Sequence, residues 1–262
     1  MQVALITPTR DRGTALQLCF QWMRSQQLKE GVSLHWIVSG NPGNDHEFNL
    51  MKTEWPKFLT GSLMPGVETK DPLVSFRTNL TRGLNFVSAY EEVVIFIEDD
   101  DYYAPGYVQA CIDRLDDSSQ APRLIGEAPS RYFHVGLGAQ RNMGNTDHAS
   151  LSCTAFNHSI LDQVKKVVSA CDAISIDCDI WRSVLARKKL YSPTYVVGMK
   201  GLPGAPNLGV GGDARCYGAT RGVSSDWATL AEWIGDAPTA VYRQLSEAMK
   251  KKEAQDARTT SA

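Results

Sequence analysis

The sequence predicts an α/β protein, a single domain with a mostly parallel central sheet flanked by helices. Three observations predict it. Candidate strands and helices alternate through the first 101 residues, the order that builds right-handed parallel β-α-β units. Residues 93–97 (VVIFI) are a short, continuous apolar run rich in β-branched side chains, as expected of a strand buried on both faces. Glu98, Asp99, Asp100 and Asp101 follow at once, and open α/β sheets bind ligands beyond the carboxyl ends of their strands.

Taken in order, residues 3–6 form the first strand, ended by Thr7-Pro8. Gly13-Thr14 opens a helix on which Leu16, Cys19, Phe20 and Met23 share one face. Residues 33–38 alternate as a second strand and run into a loop at residues 40–45 (GNPGND). A helix follows Asp71-Pro72, with Phe76, Leu80, Leu84 and Val87 on its buried stripe, and the acid-tipped strand comes next. In the second half, residues 107–115 read as a helix, 131–135 as a strand, 159–171 as a helix and 180–190 as another. Residues 198–213 (GMKGLPGAPNLGVGGD) are too rich in glycine for packed structure. Beyond about Gly235 the chain reads as an amphipathic helix, then Lys250-Lys251-Lys252 and a polar end expected to be disordered.

Composition narrows the functional classes. The 262 residues are 43% hydrophobic and 21% charged, an ordinary globular balance. No apolar run approaches the roughly 18 residues that cross a bilayer, and no basic segment precedes a signal-like core, so the expected location is the cytoplasm. The six cysteines have no CxxC spacing and read as reduced thiols, neither a disulfide framework nor a zinc site. His134, His148 and His158 lack metal-ligand spacing and read as surface or hydrogen-bonding residues. Residues 1–120 hold 10 Lys+Arg against 16 Asp+Glu, and residues 121–262 hold 17 against 13. An acidic half that attracts a cation, joined to a basic half that can meet an anion, suits a two-substrate enzyme. Four adjacent carboxylates repel one another, which favours protonation or a counter-cation, and Mg²⁺ or Mn²⁺ prefers such oxygen ligands.

Four segments, in this order, resemble the GT-A glycosyltransferases, closest to the family-2-like group that uses nucleotide-sugar donors. Residues 6–12 (ITPTRDR) resemble that family's opening strand and turn, and residues 77–85 (RTNLTRGLN) its donor-contacting helix. Residues 98–101 resemble its D-x-D motif, and residues 175–181 (SIDCDIW) the later acidic segment that carries the catalytic base. The match covers roughly residues 1–185. At the end of the second strand, where the family often places an acid that reads the nucleobase or ribose, this chain has Val38-Ser39-Gly40-Asn41.

The resemblance implies a GT-A, Rossmann-like domain over residues 1–235. Its nucleotide-sugar half would span 1–105 and its acceptor half 106–235, with a C-terminal helix and tail at 236–262. It implies Mn²⁺ or Mg²⁺ as cofactor and a UDP-sugar as the expected donor. Asp101 would ligate the metal, and Asp99 would share the ion or touch the ribose, the two facing one way if the segment is extended. Asp100 would turn away or reach the donor complex through water. Pro8, Arg10 and Asp11 would line the donor at the first strand's exit, with Arg10 or Arg12 on phosphate. Arg77 would add a donor contact, with Arg82 second. The glycine-rich segment would be a lid bringing Lys200 and Arg215 to phosphate, and Asp213 or water would complete the metal shell. Asp177, preferred over Asp179, would take the acceptor's proton in an inverting displacement. The acceptor would be a glycan or a hydroxymethylated base in DNA. A nucleotidyltransferase and a non-catalytic nucleotide-sugar-binding module are the alternatives.

Overall fold

Apolar runs on both sides of the chain's midpoint feed one central sheet. A computed structural model of the protein describes residues 1–41, 55–67, 69–115, 120–171, 173–204, 217 and 226–260. Strands β1 (Gln2–Arg10), β2 (Ser33–Asn41), β3 (Leu59–Met64) and β4 (Glu91–Phe96) all run parallel. β6 (Leu124–Glu127), β9 (Thr154–Asn157) and β10 (Lys188–Tyr191) complete a seven-stranded sheet in the order β10-β6-β9-β4-β1-β2-β3, with β9 antiparallel to both neighbours. The expected mostly parallel sheet is therefore present, and strands from both halves of the chain share it.

Helices cover the sheet where their apolar stripes predict. α1 (Gly13–Arg24) buries Leu16, Cys19, Phe20 and Met23. α2 (Pro72–Phe86) is capped by Asp71, whose carboxylate accepts from the amides of Leu73 (2.8 Å) and Val74 (3.3 Å). It lies close over β1 because Gly83 has no side chain: a Cβ there would sit 2.8 Å from Ile6 Cγ2. α3 (Tyr107–Arg114), α4 (Leu161–Ala170), α5 (Ile176–Ser183), α6 (Trp227–Ile234) and α7 (Asp236–Thr260) follow. Trp22 on α1 donates its indole N–H to the Tyr242 hydroxyl of α7 at 3.0 Å, in a fully buried contact. A smaller sheet, β5 (Tyr102–Tyr103), β11 (Val196–Lys200), β7 (Arg131–His134) and β8 (Ala139–Asn142) in the order β5-β11-β7-β8, packs beside the acid-tipped end of β4.

Several elements differ from expectation for local reasons. β1 continues through Pro8 to Arg10. Ile97 donates to the Ile6 carbonyl, so alternate residues of β1 face β4, and Pro8 points its missing donor where β4 has already turned away. The helix expected over 180–190 begins at Ile176 and stops at Ser183, and Lys188–Tyr191 is a strand paired to β6. Lys188 and Lys189 hid that strand because it lies at the sheet's edge. The start of the glycine-rich segment is packed, since Val196–Lys200 is the buried strand β11. The lysine run lies inside α7, which continues to Thr260.

Candidate functional site

The parallel strands β1, β2 and β4 end at one edge, and the acidic run sits there in a turn, with the Asp101 amide donating to the Glu98 carbonyl at 3.4 Å. The alternation expected of an extended segment does not form. The turn instead brings ligand atoms of Glu98, Asp100 and Asp101 within 4.8 Å of one another, while Asp99 faces β1. Tyr103 holds the turn from below: its hydroxyl accepts from the Glu98 amide at 2.7 Å.

Two cations are built into the cluster. Arg12, at the start of α1, donates to Asp99 at 2.8 Å and lies 3.5 Å from Asp100. Thr9 donates to the other Asp99 oxygen at 2.6 Å. Lys200, 6% exposed on β11, donates to Asp100 at 3.1 Å and to Asp101 at 3.0 Å. The Met199 amide also donates to Asp101 at 3.0 Å. Asp100 does not turn away, as the resemblance implied; it lies 3% exposed between the two cations.

The protonation equilibria follow from burial and these neighbours. Burial pushes the Glu98 carboxyl up to about 8, with Lys200 opposing and Asp101 and Asp100 adding to the rise. Burial likewise lifts Asp101 to about 6 against the pull of Lys200. Burial raises Asp99 despite Arg12. Burial also acts on Asp100, but Lys200 and Arg12 together outweigh it and hold that carboxyl below its ordinary value. Four carboxylates against one guanidinium and one ammonium leave a deficit of two positive charges when all are ionised, which is the charge of one divalent cation. Asp101 Oδ2 is buried and has no hydrogen-bond partner among the described residues. Glu98, Asp100 and Asp101 thus fit a hard divalent ion on charge and ligand type.

The other expected site residues divide by location. Pro8, Arg10 and Asp11 lie at the exit of β1. Arg10 Nη1, Ser39 Oγ and Asn79 Oδ1 are buried there without hydrogen-bond partners among the described residues, beside Gly40, where a Cβ would fall 1.9 Å from the Thr9 carbonyl oxygen. Asp11 holds a left-handed backbone (φ 52°), and its amide donates to the Asn41 carbonyl at 2.7 Å. Arg77 bonds the Cys171 carbonyl at 3.3 Å, and Arg82 the Pro65 carbonyl at 2.7 Å. Asp177 and Asp179 sit on the first turn of α5. Asp179 accepts from the Ser175 hydroxyl at 3.0 Å. Asp177 accepts from the Cys178 amide at 2.8 Å, and burial raises its carboxyl while that amide and His148 hold the rise back. Asp213 and Arg215 lie outside the described residues.

Sequence reasoning missed three groups. Tyr103 braces the acidic turn. Glu127, buried at the end of β6, accepts from the amides of Thr194 (3.0 Å), Tyr195 (2.9 Å) and Val196 (3.3 Å), and so positions β11 with its Lys200. His148 and Cys178, read separately as a surface residue and a structural thiol, meet at 3.4 Å. The Glu127 and His148–Cys178 contacts depend on distant segments meeting across the fold, and the Tyr103 contact depends on the turn at residues 98–101, so no sequence spacing signals them.

This architecture, a seven-stranded mostly parallel sheet flanked by helices with an acidic turn at its carboxyl edge, is the GT-A fold. Solved structures of S. aureus TarS share it: a TarS structure at TM-score 0.51, TarS 1-349 at 0.53, and TarS 1-349 in complex with UDP-GlcNAc at 0.51. Each is 12% identical, over 76%, 76% and 77% of this chain, which in turn spans 37%, 60% and 59% of theirs. Searches by sequence find no matching family model and no matching curated protein. No described helix is long and apolar enough to cross a membrane.

Proposed function

We propose that the protein is a metal-dependent glycosyltransferase that moves a sugar from a nucleotide-sugar donor to an acceptor hydroxyl with inversion. The observation that carries this reading is the Glu98–Asp101 turn at the carboxyl edge of the sheet, buried at Asp99, Asp100 and Asp101, short of two positive charges when fully ionised and with Asp101 Oδ2 unpaired among the described residues. The UDP-GlcNAc complex of a protein with the same fold supports a UDP-sugar as donor.

In this reading Glu98, Asp100 and Asp101 hold Mn²⁺ or Mg²⁺, which supplies Lewis-acid stabilisation of the departing nucleoside diphosphate. Arg12 fixes Asp99, and Lys200 keeps Asp100 and Asp101 ionised and aimed. The unpaired Arg10, Ser39 and Asn79 atoms at the β1 and β2 exits serve as hydrogen-bonding groups for the nucleoside. Asp177, whose raised proton affinity suits a general base, accepts the acceptor's proton as its oxygen attacks the anomeric carbon. The acceptor is a glycan or a hydroxymethylated base in DNA. Retention on DNA that falls steeply with salt would select the latter.

The test is a thermal-shift panel of nucleotide sugars with and without Mn²⁺. A donor-specific, Mn²⁺-dependent rise in Tm that vanishes in Asp101→Ala is expected. No response to any nucleotide sugar would overturn the proposal.

A further inference from the structure

We propose that His148, Asp177 and Cys178 form a second metal site, one that takes a borderline-soft divalent cation of the Zn²⁺ type. One ligand atom from each residue lies within 4.8 Å of the others. Cys178 Sγ and His148 Nε2 are 3.4 Å apart. A tetrahedral zinc with Zn–S of about 2.3 Å and Zn–N of about 2.0–2.1 Å sets its sulfur and nitrogen ligands about 3.5 Å apart. The pair therefore already has the edge length of a zinc tetrahedron.

The support around these ligands is the independent observation. His148 Nδ1 faces Asp147 Oδ1 at 2.6 Å. A carboxylate only accepts, so Nδ1 carries the proton and Nε2 is turned toward Cys178 as the ligating nitrogen. Arg182 lies 3.9 Å from the other Asp147 oxygen. The loop that carries His148 is pinned, since Asn145 donates to the His148 carbonyl at 2.9 Å and to Ser130 Oγ at 3.1 Å. α5, which carries the other two ligands, is anchored by buried Ile176, Ile180 and Trp181, and the Trp181 indole donates to Thr154 Oγ1 at 3.0 Å. The His148 side chain keeps 19% of its surface exposed, so an ion can enter.

The donor set separates this site from the acidic turn. Glu98, Asp100 and Asp101 offer only oxygen and suit Mg²⁺ or Mn²⁺, whereas imidazole, thiolate and carboxylate together suit Zn²⁺. A neutral imidazole with one thiolate and one carboxylate cancels the charge of a dication. Asp177 is common to this site and to the sugar-transfer reading, while the metal site stands without that reading.

The experiment titrates metal-free protein with Co²⁺, a spectroscopic stand-in for Zn²⁺, and follows the thiolate-to-metal charge-transfer band. One equivalent is expected to bind, to be displaced by Zn²⁺ and to survive excess Mg²⁺. The band should be lost in Cys178→Ser, and affinity should fall about 10–100-fold in Asp147→Asn, which leaves all three ligands in place. His148→Ala provides a second ligand deletion, with circular dichroism confirming the fold of each variant. A band absent from the wild type, surviving Cys178→Ser or erased by Mg²⁺ overturns the proposal. A failed nucleotide-sugar panel leaves this outcome unaffected.

Discussion

Replacing Lys200 with methionine removes a buried cation while keeping most of the side-chain volume. Its ammonium, within 3.1 Å of both Asp100 and Asp101, is the nearest positive charge to Asp101 among the described ion pairs. Breaking a buried pair by deleting one partner costs about 3–5 kcal/mol, because the remaining charge stays buried. At roughly 2–4 °C per kcal/mol for a chain of this size, Lys200→Met should lower Tm by about 6–20 °C without metal. The defect should shrink at low pH, where the abandoned carboxylates take up protons, and grow toward pH 8. A divalent ion can replace the missing charge: Mn²⁺ at 100 times its Kd returns about 2.7 kcal/mol. Scanning fluorimetry of wild type and variant, with and without Mn²⁺, measures each effect. A variant that melts within about 2 °C of wild type, or gains nothing from Mn²⁺, would refute the argued role of Lys200.

Glu98 gives the metal-free protein a characteristic pH response. Its carboxyl sits near 8 in the fold against an ordinary 4.5, so the folded chain binds the extra proton between those values. Stability fully present below about pH 4.5 is lost as pH rises through about 8, by at most about 1.4 kcal/mol per pH unit. Glu98→Gln should flatten that decline in urea melts taken across the range. Asp177→Asn should leave donor-induced thermal shifts intact and reduce transfer about 10²–10⁴-fold, measured as nucleoside diphosphate release; near-normal turnover would move the base to another residue. Gly40→Ala should destabilise the chain by at least ~1–3 kcal/mol in denaturant unfolding, since φ is +137° and the new Cβ would strike the Thr9 carbonyl.

The parts of this fold legible in the sequence are those where a single periodicity decides the outcome. α1 and α2 present clean apolar stripes, Asp71-Pro72 announces a helix start, and the short β-branched run at residues 93–97 reads as a buried strand before four acids. The second half resists because its strands are four residues long and owe their pairing to distant partners. Thr154–Asn157 carries no alternation, and Lys188–Tyr191 looks helical until β6 is placed beside it. The candidate site divides the same way. The carboxylates are visible as a run, but their partners Arg12, Lys200 and Tyr103 are chosen by the turn, and Asp100 joins the cluster only because the segment is not extended. The meeting of His148 with Cys178 is a tertiary event across thirty residues and leaves no local mark.

The Trp22–Tyr242 hydrogen bond ties events at one end of the chain to the other. α7 is buried along Thr239, Tyr242 and Ser246 and exposed over most of its remaining length. Shortening the protein before Tyr242 would leave an indole N–H stranded in a dry contact and loosen α1. Arg12 leads directly into that helix, so its grip on Asp99 would slacken too. Tyr242 thereby acts, through Trp22 and α1, as a remote brace for the acidic edge.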